Sequence, residues 1–154
     1  MRTAKKTAAP AQRQVTDKDY AALATFRRAL RQFLAFSESA AREAGIPPQQ
    51  HQALLAIKGR AGGPAVTVGK LAQDLLVAPH TAAELVDRLV QAGLLTKSRV
   101  PTERRRVELS LTDRADDVLR SLSKTHLKEL RAIGPLLIKQ LQAIRAGSQK
   151  SVGS

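Results

Sequence analysis

Cysteine is absent from all 154 residues. The chain can therefore form no disulfide, thiolate metal site or thiol-based redox sensor, and cysteine nucleophiles are excluded. Acidic residues are scarce beside basic ones: 13 Asp and Glu stand against 26 Lys and Arg, a formal net charge of +13. That balance favours a polyanionic partner, nucleic acid first. No run of about 18 apolar residues is present to cross a bilayer, and the basic N-terminus lacks the apolar stretch of a secretory signal. These absences describe a soluble protein of a reducing cytoplasm with no membrane partner. Catalytic signatures are missing too. No H-x-x-x-H or H-E-x-x-H spacing joins His51, His80 or His126 into a local metal motif, and the three read as solvated or core-edge histidines. No glycine-rich phosphate loop, nucleophile elbow or paired-carboxylate motif stands out. The expectation is a protein that is not an enzyme and needs neither metal nor cofactor.

What is present is unevenly distributed charge. Residues 1–15 carry +4 and residues 147–154 carry +1, both in stretches that read as flexible arms. Of the +8 left between them, +4 falls in the decapeptide of Lys97, Arg99, Glu103, Arg104, Arg105 and Arg106. At this length a single cooperative domain is the default.

Periodicity divides the chain further. Thr16, with Asp19 three residues on, resembles a capping box, and Tyr20, Leu23, Phe26, Leu30, Phe33 and Leu34 then recur at helical spacing up to Gly45. Arg27, Arg28, Arg31 and Arg42 on the other face read as solvated charges. Pro47 and Pro48 open a second helix that runs to about Arg60. Thr67 caps a short helix from Val68 to Leu75, Leu76-Val77-Ala78 form a turn, and Pro79 starts a helix ending at Gly93. Two short helices joined by a three-residue turn make a helix-turn-helix. After Gly93 the period becomes 2, predicting strands around Leu95–Arg99 and Arg106–Leu111, with a basic tip over 100–105. Thr112 caps a further helix, which Gly134-Pro135 should break before a last helix to about Ile144.

The stretch LAQDLLVAPHTAAELVDRLVQAGLLTKSR, followed by TERRRVELSLT, resembles the MarR family of winged-helix transcription regulators. Leu71-Ala72, Leu85-Val86-Asp87-Arg88-Leu89, Gly93-Leu94 and Leu111-Thr112 carry the likeness. The family's wing signature Asp-x-Arg stands here as Glu103-Arg104-Arg105. Leu76 occupies a turn position usually held by Gly, Ala78 a cap usually held by Ser, and Glu84 a helix position often held by Arg. An Ala cap forgoes a side-chain bond of about 1 kcal/mol, which Pro79 at the first helical position partly offsets.

The resemblance implies a mainly α fold with a small β wing: a winged helix-turn-helix plus a helical dimerisation region formed by the N- and C-terminal helices. It divides the chain into an arm (1–15), a dimerisation helix (16–46), a DNA-binding region (47–111), dimerisation helices (112–146) and a tail (147–154). It further implies a homodimeric repressor on double-stranded DNA, responding to a small aromatic or anionic effector. A basic winged helix that binds DNA or RNA without sequence preference is the alternative.

Candidate contacts follow from where such modules meet a duplex. Phosphate neutralisation dominates affinity while base edges carry the code. Arg105 matches the wing arginine and is expected in a minor groove, with Glu103 orienting it. Arg104, Arg106, Arg99 and Lys97 are phosphate candidates. Pro79, His80, Thr81 and Glu84 open the recognition helix and face base edges. Arg88 suits a phosphate or a structural ion pair equally, and Thr67, Lys70 and Gln73 suit either backbone contacts or caps and surface polars. Phe33, Phe36 and His51 fit either the lining of an effector pocket or core packing.

Overall fold

The structure is a computed structural model that describes residues 14–149; the greater part of both arms lies outside that range. Eight elements follow in order: α1 (Asp17–Glu43), α2 (Pro48–Lys58), β1 (Val66–Thr67), α3 (Val68–Leu75), α4 (Pro79–Gln91), β2 (Leu95–Val100), β3 (Glu103–Leu111) and α5 (Asp113–Gln149). The expected class holds: mostly helix, with one small antiparallel sheet.

Local chemistry explains the boundaries. Thr16 and Asp19 form a complete capping box: the Thr16 N–H and hydroxyl donate to the Asp19 carboxylate at 2.8 and 2.7 Å, and the Asp19 N–H returns to Thr16 Oγ1 at 3.3 Å. Three helices end in the same way. After α1, α3 and α4 the chain turns through a left-handed residue, Gly45, Leu76 and Gly93 respectively, and in each case the next residue's N–H reaches back five positions. This is the Schellman turn, and two of its three left-handed positions carry the residue without a Cβ that the conformation favours.

Within the described span, residues up to Gln32 and from Ala132 form one compact unit, and Phe33–Arg131 form another. In the first, Ala22 and Ala29 are buried while Tyr20, Leu23, Leu30, Leu136, Ile138 and Leu141 remain exposed. The second holds the main core. Leu54 and Ile57 of α2, Leu71 of α3, Leu85, Val86 and Leu89 of α4, and Leu95 and Leu109 of the sheet pack into one cluster with Ala115 and Leu119 of α5. The sheet order is β1-β3-β2, with Val66 opposite Leu109 and Leu95 opposite Leu111.

Three expectations need correction. Gly134-Pro135 does not break the last helix: α5 is continuous from Asp113 to Gln149 with Pro135 inside it. A proline costs one backbone hydrogen bond there, and strong helix formers on both sides carry the helix past it. The same continuity takes helix beyond residue 146, into what reads as tail. The hairpin also differs. Its tip is only Pro101-Thr102, because β3 starts at Glu103. Finally, β1 is two residues long and shows no periodicity by which sequence could reveal it.

Candidate nucleic-acid interface

Burial on one side of α4 decides what the other side offers. Ala82, Leu85, Val86 and Leu89 are buried, so the helical repeat turns His80, Glu84, Asp87, Arg88 and Gln91 outward, and all five are exposed. Pro79 is exposed and Thr81 half-buried at the first turn. Ala78 provides no side-chain cap, so Pro79 at the helix start stands in for one. Just before this, Thr67 caps α3, its hydroxyl accepting from the Lys70 N–H at 3.2 Å. Lys70 Nζ lies 3.4 Å from Gln73 Oε1 and 3.9 Å from Asp74. Thr67 thus acts as the cap, and Lys70 and Gln73 as a linked polar pair on the exposed face of α3.

The wing sorts its cations into two groups. Arg99 pairs in register with Val107 but Val100 with Glu103, so residues 104–106 face no residue of β2. The arginines therefore occupy a bulge in β3, not the hairpin tip. Lys97 Nζ is 2.5 Å from Asp87 Oδ1, which neutralises it against α4. Arg106 lies between two acids, 3.6 Å from Glu103 and 3.7 Å from Glu108. Glu103 thus faces Arg106. Among the described residues no carboxylate pairs with Arg88, Arg99 or Arg105, and all three are exposed. The side chain of Arg104 lies outside the described residues.

An open groove separates Thr67, Val68 and Gly69 at the start of α3 from Arg105, Arg106 and Val107. A second runs beside it past Arg60, Thr67 and Lys70. The positive end of the α3 dipole and the arginines make this side of the module electropositive.

Ion pairs and caps hold these elements in place. Arg60 Nε and Nη2 bond the two Asp74 oxygens at 2.5 and 2.6 Å, and that hydrogen bonding holds the Asp74 carboxyl below its ordinary 3.8. Lys58 meets Asp116 at 2.7 Å. At the end of α4, the Thr112 hydroxyl donates to the Gly93 carbonyl at 2.8 Å and Arg114 to that of Ala92 at 3.1 Å, while Thr112 also caps α5 through the Ala115 N–H.

Phe33, Phe36 and His51 come together as well, around a residue outside that trio. Phe33 and Phe36 meet His126 edge-on with centroids 6.1 and 5.8 Å away, and His51 lies 4.9 Å from the same ring. His51 and His126 are 75 positions apart on different helices, and no spacing rule brings them together. Burial first, and then His126, pull the His51 imidazole below its ordinary 6.5. Sequence reasoning also missed the partners of Lys97 and Arg106. Their acids were visible, but only the strand register decides which cation each one meets.

Residues 44–106 match the family model described as the MarR family. A search of curated protein sequences finds no match to this chain. Among solved structures, the MarR family transcriptional regulator AbsC from Streptomyces coelicolor superposes with a TM-score of 0.69 at 18% identity, over 90% of this chain and 95% of that one. RV1404 from Mycobacterium tuberculosis gives 0.66 at 24% identity, over 94% and 100%. The S. aureus MepR–DNA complex gives 0.67 at 16% identity, over 90% and 100%. At such identities the likeness is one of fold. No helix among the described residues is long and apolar enough to cross a membrane. Residues 44–106 thus carry the sequence pattern of the MarR family, and the described residues share the winged-helix fold of these solved structures.

Proposed function

We propose that this chain is a sequence-specific, double-stranded DNA-binding repressor that works as a homodimer on a pseudo-palindromic operator. One observation carries the reading. The exposed first turn and outer face of α4, with His80, Glu84 and Arg88, is flanked by Arg99 and Arg105 of the wing, which pair with no carboxylate among the described residues. A recognition helix reads base edges from its N-terminal turn, and free cations beside it neutralise phosphate. His80 and Thr81 donate to base or phosphate oxygens, and Glu84 accepts from a cytosine amino group. Arg105 enters the flanking minor groove. The solved MepR–DNA complex supports a duplex as partner for this fold.

Two identical modules are supported by the apolar side chains left exposed on α1 and α5, among them Tyr20, Leu23, Ile138 and Leu141. Two-fold symmetry then spaces the half-sites about ten base pairs apart. Resemblance to the family supports release from the operator by a small aromatic or anionic ligand near Phe33, Phe36 and His51.

Competition binding at fixed salt tests the reading. The chain should prefer a duplex from its own upstream region to random DNA by at least about a thousandfold. Equal affinity for both would instead mark a non-specific architectural protein.

A further inference from the structure

Two buried imidazoles take no part in the proposed DNA contact. His51 of α2 is 3% exposed and His126 of α5 is 9% exposed; their ring planes tilt by 35° with centroids 4.9 Å apart. His126 has a hydrogen-bond partner at each ring nitrogen. The Leu122 carbonyl, 2.6 Å from Nδ1, only accepts, so Nδ1 carries hydrogen. Nε2, 2.7 Å from Ser37 Oγ, accepts from that hydroxyl in the neutral ring. On protonation the second bond reverses and Nε2–H donates to Ser37, so both bonds survive. His51 differs: among the described residues no hydrogen-bond partner meets its ring, and its burial opposes charge.

Among the described residues no carboxylate is bonded to either ring. From α1 the pair meets Phe33, Phe36 and the Ser37 hydroxyl. Glu38 and Arg42 on that helix pair with each other at 3.3 Å. On α2, Lys58 is held by Asp116 at 2.7 Å. On α5, Lys124 and Lys128 are exposed and Glu129 is half-buried.

We propose that the His51–His126 contact is a proton-operated clasp joining α1, α2 and α5. With His51 neutral it holds; a proton on that buried ring, packed 4.9 Å from a second imidazole, drives α2 from α5. Because Leu54 and Ile57 of α2 pack in the same core as α3 and α4, release loosens the helix-turn-helix. That last step rests on the DNA-binding reading above. The sign follows from linkage. The folded-state value of His51 lies below 6.5, so the stability held by its neutral ring is complete above that pH and is lost as pH falls through 6.5 toward the folded value.

The test compares the full-length parent with His51→Phe between pH 7.5 and 5.5 at constant ionic strength. It uses imidazole NMR, thermal unfolding and titration of the upstream duplex. His80 is common to both chains, so their difference isolates the clasp. In the parent, His51 should titrate below 6.5 and the unfolding midpoint should fall with pH; in His51→Phe the midpoint should fall less. Duplex affinity should fall more steeply with pH in the parent than in His51→Phe. Matching pH slopes in the two chains overturn the clasp. If His51→Phe does not fold, the parent's NMR decides, and a His51 ring titrating at 6.5 or above overturns it. Absence of duplex binding at every pH defeats the DNA-binding reading alone, since NMR and melting still judge the clasp.

Discussion

The ammonium of Lys97, on β2, lies 2.5 Å from the carboxylate of Asp87, on α4. The pair ties the wing to the helix proposed to enter the groove and cancels one acid on that helix. Glu84 is then the acid left open on the α4 face. Among the described residues Arg88, Arg99 and Arg105 are the cations near it that pair with no carboxylate, and under the proposed function they attract phosphate.

Changing Asp87→Asn should free Lys97 for phosphate, raising duplex affinity and steepening the dependence of log K on log salt by about 0.9, one additional phosphate contact. Lys97→Ala should weaken binding, since it leaves Asp87 facing the polyanion. A double-mutant cycle on unfolding should give a coupling of only about 0.2–1 kcal/mol, as for other exposed pairs. An unchanged salt slope in Asp87→Asn would show that Lys97 does not reach DNA once freed.

Leu76 is 93% exposed and sits at φ 56°, the left-handed position that Gly45 and Gly93 fill in the matching turns. A side chain there costs about 1–2 kcal/mol, while glycine costs about 0.4–1 kcal/mol through the freer unfolded chain. Leu76→Gly should therefore stabilise the protein by up to about 1.6 kcal/mol, measured as a higher midpoint in urea with unchanged m. A lower midpoint would show that Leu76 is held by contacts absent from the isolated chain.

Thr112 serves two helices at once, capping α5 and bonding the last carbonyl of the α4 turn. Thr112→Ala should cost about 1–2 kcal/mol, a cap plus a hydrogen bond. Thr112→Ser should recover most of it in the same denaturation series.

Acid should expose the Arg60–Asp74 bridge. With its value held below 3.8, Asp74 contributes stability that is present above that pH and is lost as pH falls through the folded-state value. Arg60→Met should move the acid transition, followed by circular dichroism, to higher pH. Coincident transitions would remove Asp74 from any role in acid stability.

Much of this was legible in the residues. Thr16, Pro48, Thr67, Pro79 and Thr112 mark helix starts by local hydrogen bonding and fixed φ, chemistry confined to a few neighbours. The exposed face of α4 follows from its apolar repeat. Pro135 misled because a proline's penalty is finite and the flanking residues outweigh it. The pairing of Lys97 with Asp87, the bulge at Arg104–Arg106 and the His51–His126 contact depend on register and on helices distant in sequence, which no local pattern encodes.

The most direct test is titration of the upstream duplex across a salt series with the parent and with an Arg99→Ala, Arg105→Ala double variant. The parent should lose affinity steeply with salt. The double variant should bind more weakly, with a slope shallower by about 1.8, two phosphate contacts at about 0.9 each. Equal affinity and equal slope in the two proteins would mean that the wing does not grip DNA.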